Sequence, residues 1–289
     1  MSSEKVLVTG GSGRIGQFAI AELLRHGHEV INADRVKPKE SPAPPEAREV
    51  RFIETDLGNV GQVAGALAAC DAVVHLGAIP APYSHPDEVV FANNVTGTFA
   101  VLQAASLLGI QKAVVASSIS ILGTAWAPEP FPLLYVPVDE AHPLRNHDAY
   151  GLSKEVDERT CHMFHRQRGM QIAALRFHWV AYPDEVVERA AQLAKDPMAD
   201  DWWRHFWAYV DIRDAAAMVR LAVEAEGIGY DIFNCTAADT MADRPTEEMI
   251  REYVPSVEIR SPIPGYSTAY SLEKGRTRLG YNPVHTWRT

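Results

Sequence analysis

In "HDAYGLSKEVDE", Tyr150 stands four residues before Lys154, so a helix over this stretch puts a phenol and an ammonium on one face. A phenol titrates near roughly 10, too high for a base at neutral pH, and a neighbouring ammonium favours its charged form. A strand read in "VVASSISILG" ends in Ser117 and Ser118, and the hydroxyl of Ser118 is the candidate to polarise a substrate oxygen. The chemistry that needs all three groups is reversible alcohol oxidation with hydride transfer to a nicotinamide. Ten tyrosines and seven lysines in 289 residues yield about a quarter of such a pair by chance, so the surroundings must decide. The plain alternative for Ser118 is a strand-end hydroxyl bonded to its own backbone.

These residues must be positioned by a sheet. From Lys5 to about Phe177, short apolar runs alternate with helical patterns, which predicts repeated βαβ units and a parallel sheet. The expected strands are "KVLVT", "HEVINAD", "VRFIE", "DAVVHL", "KAVVAS" and "QIAALRF", each nearly continuous in apolar residues, as helices on both faces require. Helices are expected over 14–26, 59–69, 86–108 and 150–168, then over 184–195 and 211–226. A further strand is read at "YDIFNC", followed by an irregular C-terminal segment. The long loop "APEPFPLLYVPVDEAHP", with Phe131, Leu133, Leu134 and Tyr135, is expected to wall the substrate site, while "VKPKESPAPPEAREV" is a proline-rich polar connector.

The first strand runs into "TGGSGRIG", whose glycines fit two registers, one starting at Gly10 and one at Gly11, both continuing through Gly13 and Gly16. Glycine suits a turn whose backbone approaches a pyrophosphate, and the helix that follows offers free N–H groups and the positive end of its dipole. Arg14 and Ile15 open that helix. Asp34 ends the second strand, where a carboxylate accepts both ribose hydroxyls and repels a 2′-phosphate, so NAD is expected over NADP. Arg35 beside it could stack on adenine or hold that phosphate. Asp56 with Leu57, and Leu76, Gly77 and Ala78, follow the third and fourth strands at the same sheet edge; Asp56 could equally cap the next helix.

A net charge of -10, with no clustering of basic residues, excludes a nucleic-acid binder, and no stretch is long enough to span a membrane. Three dispersed cysteines predict reduced thiols, and the absence of a leader pattern after Met1 points to the cytoplasm. His162 and His165 are three apart with no third ligand, so no metal is expected.

With these pieces in order, the chain resembles an extended short-chain dehydrogenase/reductase of the NAD-dependent epimerase/dehydratase type, closest to small sugar or uronate dehydrogenases. The resemblance rests on "TGGSGRIG", Asp34, "DL" at Asp56, "HLGA", "NNVTGT", "SSISILG", "DEAHPL", "YGLSK", "LRFHWVAYP", "AYVDIRDAA", "IFN" and "SLEKGRTRLGYNP". It implies a Rossmann doubly wound α/β sheet, residues 1–178 with 208–235 returning to it, and a small substrate-binding region from 179–207 and 236–289. It implies catalytic roles for Ser118, Tyr150 and Lys154. Asn94 then supports the lysine and a water, Phe177 sits by the cofactor, and the protein is a homodimer built on the 86–108 and 150–168 helices.

The chain departs from the pattern after its sixth strand, where Trp179 replaces the asparagine that nucleotide-sugar enzymes carry, and after Ser118, where Ile119 and Ser120 replace an Asn-His pair of uronate dehydrogenases. Ser118, Ser120, His178, Trp179, Trp203 and Arg204 are therefore the expected substrate residues, with His75, His142 and His147 as further cleft candidates. Aromatic rings can stack on a sugar, and Arg204 can bind an anion. The expected function is oxidation of a secondary alcohol or hemiacetal of a small sugar-like molecule by NAD. An epimerase or dehydratase with tightly held NAD is the alternative, and a non-catalytic NAD sensor the third.

Overall fold

The computed structural model describes residues 3–40 and 42–288. The chain runs β1 (Lys5–Thr9), α1 (Arg14–Arg25), β2 (Glu29–Asp34), β3 (Arg51–Glu54), α2 (Val60–Leu67), β4 (Ala72–His75), α3 (Asp87–Leu107), β5 (Lys112–Ser118), β6 (Tyr135–Val136) and α4 (Ala149–Arg168). It continues through β7 (Gln171–Phe177), β8 (Val180–Ala181), α5 (Pro183–Leu193), β9 (Val210–Asp211), α6 (Ile212–Glu224), β10 (Tyr230–Cys235), α7 (Thr246–Tyr253), β11 (Glu258–Ile259) and α8 (Glu273–Leu279). Short 3-10 turns lie at Pro45–Arg48, Ile119–Leu122 and Ala199–His205.

Seven strands form one sheet in the order β10-β7-β5-β4-β1-β2-β3, every neighbouring pair parallel. This is the Rossmann arrangement, and the order reverses between β1 and β4, where the crevice for a ligand opens. Alternate side chains go to opposite faces. Val6 and Val8 join a core with α1 and α6, whereas Leu7 and Val73 join another with residues of α2, α3 and α4. The central strands β1, β4, β5 and β7 are buried on both faces, which is why they read as apolar runs, whereas the edge strand β3 has exposed ends.

Local signals set the helix ends. Asp148 caps α4 by accepting the Gly151 N–H at 2.7 Å, and Gly169, with φ 71°, ends the same helix after a basic last turn. Pro183 opens α5, where Glu185 accepts the Tyr182 N–H at 2.8 Å.

A third core joins Ile119, Leu133, Val136 and Val138 to Trp207, Tyr209, Met249 and Tyr270. The loop after β5 therefore does not wall the site with Phe131, Leu133, Leu134 and Tyr135 as expected. Its β6 pairs with β11, and Leu133, Val136 and Val138 enter this core, while Leu134 is exposed. The segment expected to be irregular holds α7 and α8; both are short, so their period is easily missed.

Candidate active site

Thr9, Asp34, His75, Ser118 and Phe177 end β1, β2, β4, β5 and β7, all at one sheet edge. A cavity of about 540 Å³ lies there, lined by Gly10, Gly13, Arg14, Ile15, Gly16, Leu76 and Ala78 at one end. Ser118, Ser120, Tyr150, Lys154, Phe177, His178 and Trp179 line the other. A smaller hollow of about 170 Å³ shares Gly10, Gly13, Leu76 and Ala78 and is lined also by Asp34, Arg35, Thr55, Leu57, Gly77 and Asn93.

The glycine loop allows no side chain where it turns. Gly10 has φ +67°, and a Cβ there would lie 2.6 Å from the Gly77 nitrogen; one on Gly16 would lie 2.2 Å from the Gly10 carbonyl oxygen. A Cβ on Gly11 would overlap the Asn32 amide oxygen at 2.4 Å, so both sequence registers describe crowded glycines. Gly13 occupies the N-cap of α1 without a capping side chain, which leaves the first N–H groups open to an anion. Asp34 accepts the Ser12 N–H at 3.1 Å and the Arg35 N–H at 2.7 Å, tying the loop to β2 while lining the hollow. This cradle fits a dinucleotide: glycines against the pyrophosphate, Asp34 at the ribose.

Three expected cofactor residues have other engagements. Asp56 accepts the Gly58 N–H at 3.0 Å and is exposed; Leu57, not Asp56, lines the hollow, and Asn59 rather than Asp56 caps α2. Arg35 donates to Asn93 at 2.6 Å. Arg14 donates to the Val180 carbonyl at 3.0 Å, pairs with Glu185 and stacks 4.2 Å over Tyr182, fastening the substrate side to α1.

At the other end, Ser117 is bound to Glu158 at 2.7 Å, and Glu158 is held by both arms of Arg176 at 2.8 Å. Ser118 is thus the free member of the pair: its Oγ donates to Ser120 Oγ and accepts the Ser120 N–H, both at 3.1 Å. Tyr150 and Lys154 share one face of α4, the ammonium lying 5.9 Å from the phenol ring centre. Lys154 donates to the Ala116 carbonyl at 2.9 Å and to Asp157 at 3.1 Å. Burial opposes its charge, but the Asp157 carboxylate and Tyr150 outweigh that and hold the ammonium above its ordinary range.

Asn94 does not reach Lys154. Its amide donates to the Ile79 carbonyl and to Ser153 Oγ, both at 3.1 Å, and Ser153 donates to the Tyr150 carbonyl at 2.7 Å. It clamps the loop after β4 to the turn of α4 that carries Tyr150.

The substrate wall differs from the expectation at two residues. Trp203 and Arg204 do not line the cavity; Trp202 and His205 do. Asp200 and Asp201, both at positive φ, kink the segment, and in the 3-10 turn that follows a period of three brings positions 202 and 205 to one side. Arg204 turns away to the Ala127 carbonyl at 3.1 Å and to Asp201. Trp179 and Trp202 meet edge to face at 5.0 Å. Trp126, which no motif marks, lines the opposite side.

The other cleft histidines have structural partners. His75 bridges Thr9 at 2.7 Å and Thr98 at 3.1 Å, His142 accepts the Leu134 N–H at 3.0 Å, and His147 lies tilted against Phe131 at 5.2 Å. His162 lies flat against Tyr230 at 4.9 Å, and among the described residues no cluster of three ligands could hold a metal. The cysteines are free and buried, and no helix among the described residues is long and apolar enough to cross a membrane.

The chain is similar to known proteins over nearly its whole length. A UDP-glucose 4-epimerase of Corynebacterium glutamicum is 28% identical, covering 98% of this chain and 92% of that one. A UDP-glucose 4-epimerase of Brucella ovis solved with NAD superposes with a TM-score of 0.70 at 19% identity, covering 98% of this chain and 94% of the other. A mutated uronate dehydrogenase gives 0.67 at 19% identity, covering 99% and 83%. The sequence model of the NAD dependent epimerase/dehydratase family matches residues 6–236, so the chain belongs to this family.

Proposed function

We propose that the protein oxidises a secondary alcohol or hemiacetal of a small sugar-like molecule, with NAD as hydride acceptor. The observation that carries this reading is the convergence of Ser118, Tyr150 and Lys154 on a cavity continuous with the glycine cradle. NAD, when bound, supplies the nicotinamide that accepts hydride; Gly10, Gly13, Gly16, Asp34, Leu57 and Gly77 are the residues to hold it. Ser118 Oγ donates to the substrate oxygen, and Tyr150 takes the proton from the hydroxyl. The Lys154 ammonium, fixed by Asp157 and the Ala116 carbonyl, offsets the negative charge on the phenol oxygen.

The narrow aromatic wall of Trp179 and Trp202, with Arg14 already paired, supports a substrate without a nucleotide diphosphate. A second reading is sugar epimerisation with tightly held NAD, favoured by similarity to the Corynebacterium glutamicum enzyme along 98% of this chain.

Incubation of the purified protein with NAD and aldoses, uronates, hydroxy acids and UDP-sugars separates these. NADH accumulation supports the dehydrogenase, isomerised sugar without NADH the epimerase. Cofactor binding without turnover of any compound leaves an NAD sensor.

A further inference from the structure

Where Arg204 turns out of the cavity, the residue after it turns in. His205 lines the cavity with Ser118 and Tyr150 and is half-buried, whereas Arg204 before it and Phe206 after it are buried. Its Nδ1 bonds to Thr124 Oγ1 at 3.2 Å. Its Nε2 has no protein partner among the described residues, and it keeps accessible surface.

Two chain connections place this ring over the reacting end of the cavity. Thr124 follows the 3-10 turn Ile119–Leu122 by which the chain leaves Ser118. His178 follows Phe177, the register partner of Ser118 in β7, and its ring meets His205 edge-on at 5.8 Å. Trp202 meets the same imidazole edge-on at 6.4 Å. Thr124, His178 and Trp202 together fix the orientation of the ring.

Thr124 also decides which nitrogen carries the proton. It is fully buried, and its Oγ1 has no other partner among the described residues. Were Nδ1 the donor, the hydroxyl hydrogen would be buried without an acceptor. With the hydroxyl donating to Nδ1 both groups are satisfied, and Nε2 carries the ring proton. Burial, reinforced by the Arg204 guanidinium, holds the His205 pKa down from 6.5 to about 4, so the ring is neutral near pH 7. The polar neighbours Ser120 and Asp200 are already bonded, to Ser118 and to Arg189. His205 thus presents one oriented, uncharged N–H donor that is still free.

We propose that His205 is a specificity-determining residue whose Nε2–H donates to a second oxygen of the substrate, while the reacting hydroxyl lies at Ser118 and Tyr150. The substrate class this selects is an oxygenated ring, such as a cyclic aldose, over an alcohol with a single oxygen. The inference rests on the dehydrogenase reading for the place of the reacting hydroxyl and deepens it by naming how the rest of the substrate is held.

Glucose, galactose and their monodeoxy forms are titrated by calorimetry into NAD-loaded protein carrying Tyr150→Phe, which blocks turnover. At least one of the two aldoses should bind, and adding His205→Leu should weaken it tenfold or more. Adding His205→Gln instead, which returns an N–H near the same place, should recover affinity to within about threefold. One monodeoxy form should bind tenfold or more weaker than its parent and lose no more than about twofold on His205→Leu, because the missing oxygen and the missing N–H are two ends of one bond. Unchanged NAD affinity in both variants certifies the fold. The proposal is overturned if neither aldose binds, if His205→Leu leaves affinity intact, or if His205→Gln is as weak as His205→Leu. It is overturned equally if every monodeoxy form loses as much as its parent on His205→Leu. NADH release with Tyr150 intact reads the dehydrogenase separately. An aldose bound through His205 but never oxidised sinks that reading and leaves this one, whereas NADH from an aldose indifferent to His205→Leu does the reverse.

Discussion

Replacing Gly16 by alanine sets helix propensity against backbone overlap. Inside a helix, alanine is favoured over glycine by about 1 kcal/mol. At Gly16, however, the added Cβ would lie 2.2 Å from the Gly10 carbonyl oxygen, 2.6 Å from the Gly11 Cα and 2.9 Å from the Gly11 carbonyl carbon. All three are backbone atoms, so no side chain can swing aside. Reaching ordinary contact requires α1 to retreat from the loop by about 1 Å, and overpacking of this kind costs about 1–3 kcal/mol. Set against the propensity gain, the overlap leaves a net loss of about 0–2 kcal/mol, where an open helical site would show a gain. Gly65 supplies the internal control: it is helical and exposed, with nothing within 4 Å of an added Cβ. Gly65→Ala should stabilise by about 0.5–1 kcal/mol. Urea unfolding measures both, and an unchanged m-value assigns the difference to stability. Cofactor titration adds a second readout. Gly16→Ala should weaken NAD binding tenfold or more, because the loop moves where the pyrophosphate belongs, and Gly65→Ala should leave it unchanged. A Gly16→Ala protein as stable as Gly65→Ala, with full NAD affinity, would refute the crowding argument.

Tyr150→Phe should keep NAD affinity within about twofold and lower turnover by about 10²-fold or more; steady-state assays on a substrate found by screening check it, and normal activity refutes the proton role. NAD should bind more tightly than NADP, and Asp34→Ser should shrink that preference; a wild-type preference for NADP overturns the assignment of Asp34. Trp202→Ala should raise KM for the sugar while Trp203→Ala leaves it close to wild type, since only Trp202 lines the cavity; equal effects contradict the geometry. His75, buried between Thr9 and Thr98, has its pKa lowered by burial and Lys154 from 6.5 to about 3. The unfolded chain therefore takes up this proton first, so the contribution is intact above pH 6.5 and is lost as the pH falls from 6.5 towards 3. His75→Asn should flatten the fall in unfolding free energy over that range by up to about 1.4 kcal/mol per pH unit; an unchanged slope in urea unfolding between pH 6.5 and 4.5 removes His75 from the account.

Much of the frame was legible because its signals are local. Central strands buried on both faces can only be apolar runs, and the glycines of "TGGSGRIG" are demanded by contacts within one turn and its neighbour. Tyr150 and Lys154 need only a helical period to share a face. The substrate wall was less legible. Trp203 and Arg204 stood out by type, but which side chains of "DDWWRH" face inward depends on the pitch of its turn. Asp200 and Asp201, at φ 50° and 60°, break the helix there in a way no periodicity announces. Trp126 carries no motif, and it lines the cavity at the head of a loop whose later residues enter the third core.

The sequence by itself determined the doubly wound sheet, the edge at which Ser118, Tyr150 and Asp34 meet, and the family to which they belong, because hydrophobic period and turn chemistry act over a few residues. Only the tertiary structure decided that Arg204 is spent on Asp201, that His178 and Trp126 are left with unpaired N–H groups, and that Asn94 bonds Ile79 and Ser153 directly. Those facts depend on which partner each polar group finds across the fold, and residues as far apart as Ala127 and Arg204 become partners only once the chain has folded.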